Sequence, residues 1–160
     1  MTKEDFTRAV ERNNKRIYLL ALSYTRDHGD AEDVLQNVFL KLWDKGGKIK
    51  EETEIDRWLT TVCLNECRNL LRRPFKKRET LLDECAELYT FDDPRSLDLF
   101  RAVMSLSEKE RVTVHLFYYE DMPIREIART LKISENAAKT RLSRARARLK
   151  ELLGEEWINE

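Results

Sequence analysis

The sequence predicts an all-α protein: two small helical domains, one a helical bundle and the other carrying a helix-turn-helix, joined by an acidic linker. Three observations predict it. Only four Gly and three Pro are spread through 160 residues, of which 38% are charged, a composition that favours helices with short connections. Apolar residues recur at intervals of three and four rather than in alternation. The formal net charge is +0, yet the charge is segregated. Six basic residues face one acid over 65–78, seven acids face one base over 79–98, and six basic residues again face one acid over 134–150. Affinity for nucleic acid follows such local basic surfaces, not the whole-chain total.

The first domain is expected over 1–76. Its opening segment "FTRAVERNNKRIYLLALSYT" and the following "DAEDVLQNVFLKLWDK" carry helical spacing on either side of the turn-prone "RDHGD", which predicts a helical hairpin. On the second helix, expected from Asp30 to Trp43, the inward stripe is Ala31, Val34, Leu35, Val38, Phe39 and Leu42. Asp33, Gln36, Asn37 and Leu40 are left facing outward, and a leucine amid polar groups points to a protein contact. A third helix, "EIDRWLTTVCLNECRNLLRR", repeats the spacing through Ile55, Leu59, Val62, Cys63 and Leu70 until Pro74 stops it. Its end brings Asn65 and Asn69 onto one face beside Arg68, Arg72 and Arg73. Amides beside cations suit unpaired bases and backbone phosphates. Trp58 offers a stacking platform, although tryptophan in an amphipathic helix more often belongs to the core.

The linker is expected over 77–98, within a polar, acidic stretch bounded by Pro74 and Pro94 and with a short helix around Leu81 to Leu88. The second domain, 99–160, reads as three or four helices with no internal repeat. In "MPIREIARTLKISENAAKTRL", Pro123 sits where a helix begins, Ile127, Ala128 and Leu131 face inward, "KI" forms a short turn and Ser134 is a good N-cap. This is a helix-turn-helix. Winding its second helix at about 100° per residue puts Ala138, Leu142, Ala145 and Leu149 on one narrow stripe. Asn136, Lys139, Thr140, Ser143 and Arg144 fall on the opposite side, flanked by Arg141, Arg146 and Arg148. Short polar groups for base edges and cations for phosphates are what reading a major groove requires. The apolar pattern lasts about two heptads, too short for a coiled-coil seam.

Other classes find little support. Cys63, Cys67 and Cys85 are an odd number for a disulfide framework and have no partner cluster for zinc, so reduced, packed thiols are expected and no metal or cofactor is implied. His28 and His115 belong to no nucleophile pattern, and no Gly-rich phosphate loop occurs, which argues against an enzyme. No run approaches the roughly 20 apolar residues of a membrane span, and "MTKEDFTRAVERNNKR" lacks the apolar core of a signal peptide. A cytoplasmic protein without membrane insertion is expected.

Across nearly the whole chain, "DAEDVLQNVFLKLW", "WLTTVCLNECRNLLRR" and "LSEKERVTVHLFYYEDMPIREIARTLKISENAAKTRLSRARARLKELL", in this order, resemble bacterial RNA polymerase sigma factors of the sigma-70 family, extracytoplasmic-function group. The resemblance implies a sigma-2-like domain and a sigma-4-like domain that bind core RNA polymerase and promoter DNA. It assigns Asp33, Gln36, Asn37 and Leu40 to the polymerase. Asn65, Arg68, Asn69, Arg72 and Arg73 go to the minus 10 element, and Asn136, Lys139, Thr140, Arg141, Ser143 and Arg144 to the minus 35 element. The loop "DKGGKIKEETE" falls where members capture a flipped-out base. Asn69 stands where many members carry Asp, and Ala137 and Ala138 where many carry Thr-Val, so the promoter sequence is this chain's own. With Trp157 close to the end of the sequence, the additional C-terminal domain of some subgroups is not expected. Regulation is therefore expected from another protein, an anti-sigma factor, with the acidic linker folding back on a basic patch as a competing device. The alternative function is a conventional dimeric helix-turn-helix regulator; a third is a regulatory partner protein whose basic helices are only solvated surface.

Overall fold

The structure, a computed structural model, describes residues 1–72 and 94–154, with the backbone alone for 94–96. Arg73, Pro74, most of the expected linker and the expected helix at Leu81 to Leu88 lie outside the described residues. Among the described residues there are seven α-helices, one 3-10 turn and no strand. The chain divides into two compact units, Met1–Thr80 and Leu81–Glu160.

The first unit contains α1 (Lys3–Thr25), α2 (His28–Lys45), the 3-10 turn Gly46–Lys48 and α3 (Glu52–Leu71). Helix α1 starts because the Thr2 side chain accepts the Asp5 N–H at 3.1 Å, with Glu4 and Asp5 placed against the positive end of the helix dipole. It stops at Arg26, whose left-handed φ of 57° turns the chain while its N–H returns to the Leu22 carbonyl at 2.8 Å. The expected turn is thereby shorter than its sequence suggests. Asp27 is the N-cap of α2, accepting the Asp30 N–H at 2.8 Å, so the helix opens at His28, two residues before the expected Asp30, which is buried in its first turn. The predicted inward stripe of α2 is buried throughout. At Gly46 a Cβ would come within 2.6 Å of Leu42 Cδ1, which is why the chain can fold down onto its own helix there.

A polar seam crosses the apolar contact of α1 with α3. Buried Asn13 donates to the Ala9 carbonyl and to Asp56 Oδ1, both at 2.9 Å, while its own oxygen accepts Arg16 at 2.7 Å. Arg16 also donates to Thr60 Oγ1 at 2.7 Å and to the Asp56 carbonyl at 3.0 Å. Because these groups satisfy one another, the seam fixes the register of α3 on α1 in a way apolar side chains do not. Asn13→Leu removes the acceptor of Arg16 and a donor to Asp56, and is expected to lower stability by about 2–4 kcal/mol in urea unfolding. A loss below about 0.5 kcal/mol would show that apolar packing alone sets the register.

The second unit contains α4 (Pro94–Met104), α5 (Glu108–Tyr118), α6 (Ile124–Leu131) and α7 (Glu135–Leu153). The linker expected to end at 98 is thus helical from Pro94 onward, consistent with proline's preset φ at a first helical turn. The core gathers Ala102, Val103, Leu106, Val114, Leu142, Ala145 and Leu149, with Leu99, Phe117, Ile124 and Leu153 packed around it. Ser107 caps α5 by accepting the Glu110 N–H at 3.4 Å, and Ser134 caps α7 by accepting the Ala137 N–H at 3.0 Å. Between α6 and α7, Lys132 takes a left-handed φ of 59° and Ile133 returns its N–H to Ala128 at 3.0 Å, the tight corner expected of "KI".

Candidate nucleic-acid interface

Helix α7 presents the side chains the sequence assigns to it. Ala138, Leu142, Ala145 and Leu149 are buried, and Asn136, Lys139, Thr140, Ser143 and Arg144 are exposed. Arg141 is half-buried at the edge of this face. Arg148 leans toward Glu151 at 3.3 Å, a surface pair that solvent weakens. Arg146 departs from expectation. Its Nε donates to the Tyr118 hydroxyl at 2.7 Å, and its guanidinium lies over the rings of Phe117 and Tyr118, so it serves the contact of α7 with α5.

On α3, Asn65 and Asn69 are both exposed, one turn apart, with Arg72 exposed at the helix end. Arg68 is half-buried and donates to Asn65 Oδ1 at 3.1 Å, which directs the Asn65 amide N–H groups outward as the donors on offer. Arg73 lies outside the described residues. Glu66, the one acid of this basic stretch, is only 13% exposed and ion-paired with Lys41 of α2. The pair removes a negative charge from the face beside Asn65 and ties α3 to α2. Trp58 is half-buried, and Cys63 and Cys67 are buried on the inner side of α3. The histidines meet aromatic partners: His28 Nδ1 lies 2.7 Å from the Tyr18 hydroxyl, and His115 stacks on Tyr119.

The outer face of α2 aligns Asp33, Gln36, Asn37 and Leu40, all exposed, with Leu40 at 66%. The strip continues to Trp43, 53% exposed and set edge-on to Phe6 with ring centroids 5.2 Å apart. Trp43 was legible only from its spacing of three after Leu40. Where the loop 47–50 meets α1 there is an open cavity of about 350 Å³, lined by Asp5, Arg8, Arg12, Ile49, Lys50 and Glu52 among others. Hydrogen bonds from Thr2 and then Arg8 hold the Asp5 carboxyl below the usual carboxylate range, so the wall carries both signs of charge. Arg8 and Arg12 carry no mark in the sequence that would have placed them here.

The chain has counterparts among known proteins. Residues 9–78 match Sigma-70 region 2, and residues 96–149 match Sigma-70, region 4. The chain is 29% identical over 156 residues to the ECF RNA polymerase sigma factor SigM of Mycobacterium tuberculosis, covering 93% of this chain and 77% of SigM. It is 26% identical over 147 residues to the RNA polymerase sigma factor SigV of Bacillus subtilis, covering 90% and 88%. The fold is similar to that of the sigma factor RpoE in complex with the anti-sigma factor NepR from Bartonella quintana. The TM-score is 0.72 at 24% identity, over 94% of this chain and 97% of RpoE. Both sigma-70 regions occur in order along a chain of helices alone among the described residues, and the chain belongs to the sigma-70 family of RNA polymerase sigma factors, in its extracytoplasmic-function group.

Proposed function

We propose that this transcription initiation factor, which binds core RNA polymerase and directs it to promoters, divides the task among three faces. The outer strip of α2, from Asp33 to Leu40 and on to Trp43, docks on the polymerase. Asn65, Arg68, Asn69 and Arg72 of α3, with Arg73 beyond them, take the minus 10 element as its strands separate. Asn136, Lys139, Thr140, Arg141, Ser143 and Arg144 take the minus 35 element in duplex form. The sigma-2-like domain occupies 1–76, and the sigma-4-like domain follows the acidic connector.

The observation that carries this reading is that α3 and α7 each seal one face in a core and expose amides or hydroxyls beside cations on the other. A dimeric helix-turn-helix regulator would use α7 and leave the faces of α2 and α3 without a task. The cavity beside loop 47–50 suits a single unstacked base, with Arg8, Arg12 and Lys50 near its phosphates. An anti-sigma partner that covers Leu40 and Trp43 would withhold the chain from the polymerase, and the site of action is the cytoplasm, where polymerase and chromosome meet.

Reconstitution with core RNA polymerase, followed by run-off transcription on a fragmented genomic library, tests the whole. Transcripts from a restricted set of promoters sharing two spaced elements are expected. A chain that binds duplex DNA as a dimer and yields no such transcripts would overturn the reading.

A further inference from the structure

We infer that Arg146 is a positioning residue for promoter reading: it clamps α7 to α5 and sets the angle at which Lys139, Thr140, Ser143 and Arg144 meet the minus 35 element. The inference rests on the proposed role of α7 as the reading helix. The sequence places Arg146 among the cations that flank this face, where a phosphate contact is the ordinary expectation.

Its surroundings give it a different task. The rings of Phe117 and Tyr118 stand nearly perpendicular, at 80° with centroids 4.9 Å apart, and the guanidinium fills the corner between them. It lies 5.2 Å from the Phe117 centroid and 5.6 Å from that of Tyr118, both within cation–π range. The Nε–H donates to the Tyr118 hydroxyl at 2.7 Å, which fixes the plane of the group as well as its position. Phe117 is in turn packed on the core that holds Leu142, Ala145 and Leu149, so the corner is anchored.

A clamp is needed at this place because of how α7 docks. Its buried stripe is narrow, and two of its four members, Ala138 and Ala145, have no side chain beyond Cβ. Small residues allow close approach but resist rolling of the helix about its own axis only weakly. Side-chain tips stand about 5–6 Å from the axis, so a roll of 20° carries them about 2 Å, more than a base-edge hydrogen bond tolerates. Arg146 lies off the stripe, on the flank shared with Lys139 and two turns further along. An attachment there opposes the roll. Lysine cannot replace it, since an ammonium is not planar and has no Nε to aim at Tyr118 while its charge lies against the rings.

The test compares holoenzymes carrying wild-type chain, Arg146→Ala, Arg146→Lys, Tyr118→Phe and Lys139→Ala. Each is measured on a promoter selected by the wild-type holoenzyme from a randomised minus 35 library, and on the unselected library, across a salt titration. For Arg146→Ala, affinity for the selected promoter falls about tenfold while the unselected library changes less than about twofold, and the salt slope is unchanged. Arg146→Lys behaves like Arg146→Ala, and Tyr118→Phe gives the same pattern with a smaller factor of about three. Loss of stability alone would leave the ratio of selected to unselected binding unmoved. Should Arg146→Ala not fold, Arg146→Lys and Tyr118→Phe decide the matter. The inference is overturned if Arg146→Ala lowers the salt slope by about one on both DNAs and Arg146→Lys restores it, the behaviour of a phosphate contact, or if the ratio stays at wild type. A Lys139→Ala variant that weakens both DNAs alike would instead overturn the role of α7 itself.

Discussion

Replacing Leu40 by Arg together with Asp33 by Arg is expected to abolish association with core RNA polymerase while leaving the helical circular dichroism spectrum intact. Both positions lie at the exposed surface, Leu40 at 66%, and the stripe that holds α2 in its core does not include them. Arginine is as good a helix former as leucine, so the helix itself loses nothing. The cost falls on the interface. On the proposed docking, the leucine's apolar contact would be replaced by a cation buried without a partner, and the acid's charge would be reversed against whatever surface it faces. Each such change costs about 2–5 kcal/mol at a desolvated contact, so affinity falls by about a thousandfold or more. Co-elution of the double variant with polymerase at the wild-type level in gel filtration would remove α2 from the interface.

The second large effect is expected from Lys139→Ala combined with Arg144→Ala. Each side chain is exposed and neither contributes to the buried stripe of α7, so the fold should survive and alanine should favour the helix. A lost base contact costs about 1–3 kcal/mol, and two positions separated by more than a turn with no shared partner combine nearly additively. Binding to a selected promoter should therefore fall by about 10²–10⁴-fold at fixed salt. Unselected DNA should lose only the counterion-release part, visible as a lower salt slope. Equal losses on every DNA sequence would mean that the two cations read phosphates and that base recognition lies elsewhere on the helix.

Much of this was legible in the sequence for a definite reason. Helical periodicity reports which residues face a core, so the buried stripes of α2 and α7 and the exposed sets opposite them came directly from spacing. A cap was legible at Ser134, where a single residue signals it, whereas the start of α2 was read at Asp30, two residues past its actual start at His28, because Asp27 as its cap was not read. Contacts between helices were not legible, because spacing along one helix says nothing about what stands across from it. Arg146 read as a surface cation for this reason, and the partnership of Lys41 with Glu66 left no local trace. Asn13 did leave one: an amide four residues after Ala9 and four before Ile17, on an otherwise apolar stripe, marks a buried polar contact whose partner only the fold can name. The cavity beside loop 47–50 depends on Arg8 and Arg12 arriving from α1, and no feature of "FTRAVERNN" foretells it.

The ion pair of Lys41 with Glu66 has a mechanical meaning. Separated DNA strands tend to close again, with a pull set by about 1.4 kcal/mol for each stacked step regained. A protein that keeps them apart must pass that load from where it grips to where it is anchored. On the present reading the grip is the end of α3 and the anchor is the outer strip of α2, and the pair bridges the two helices between them. Glu66 is largely enclosed while Lys41 reaches it from the solvent side, so the attraction is partly screened, and displacing α3 along α2 would stretch a bond between opposite charges. On that reading the ion pair would help the first unit carry load from α3 to α2, as a strut does.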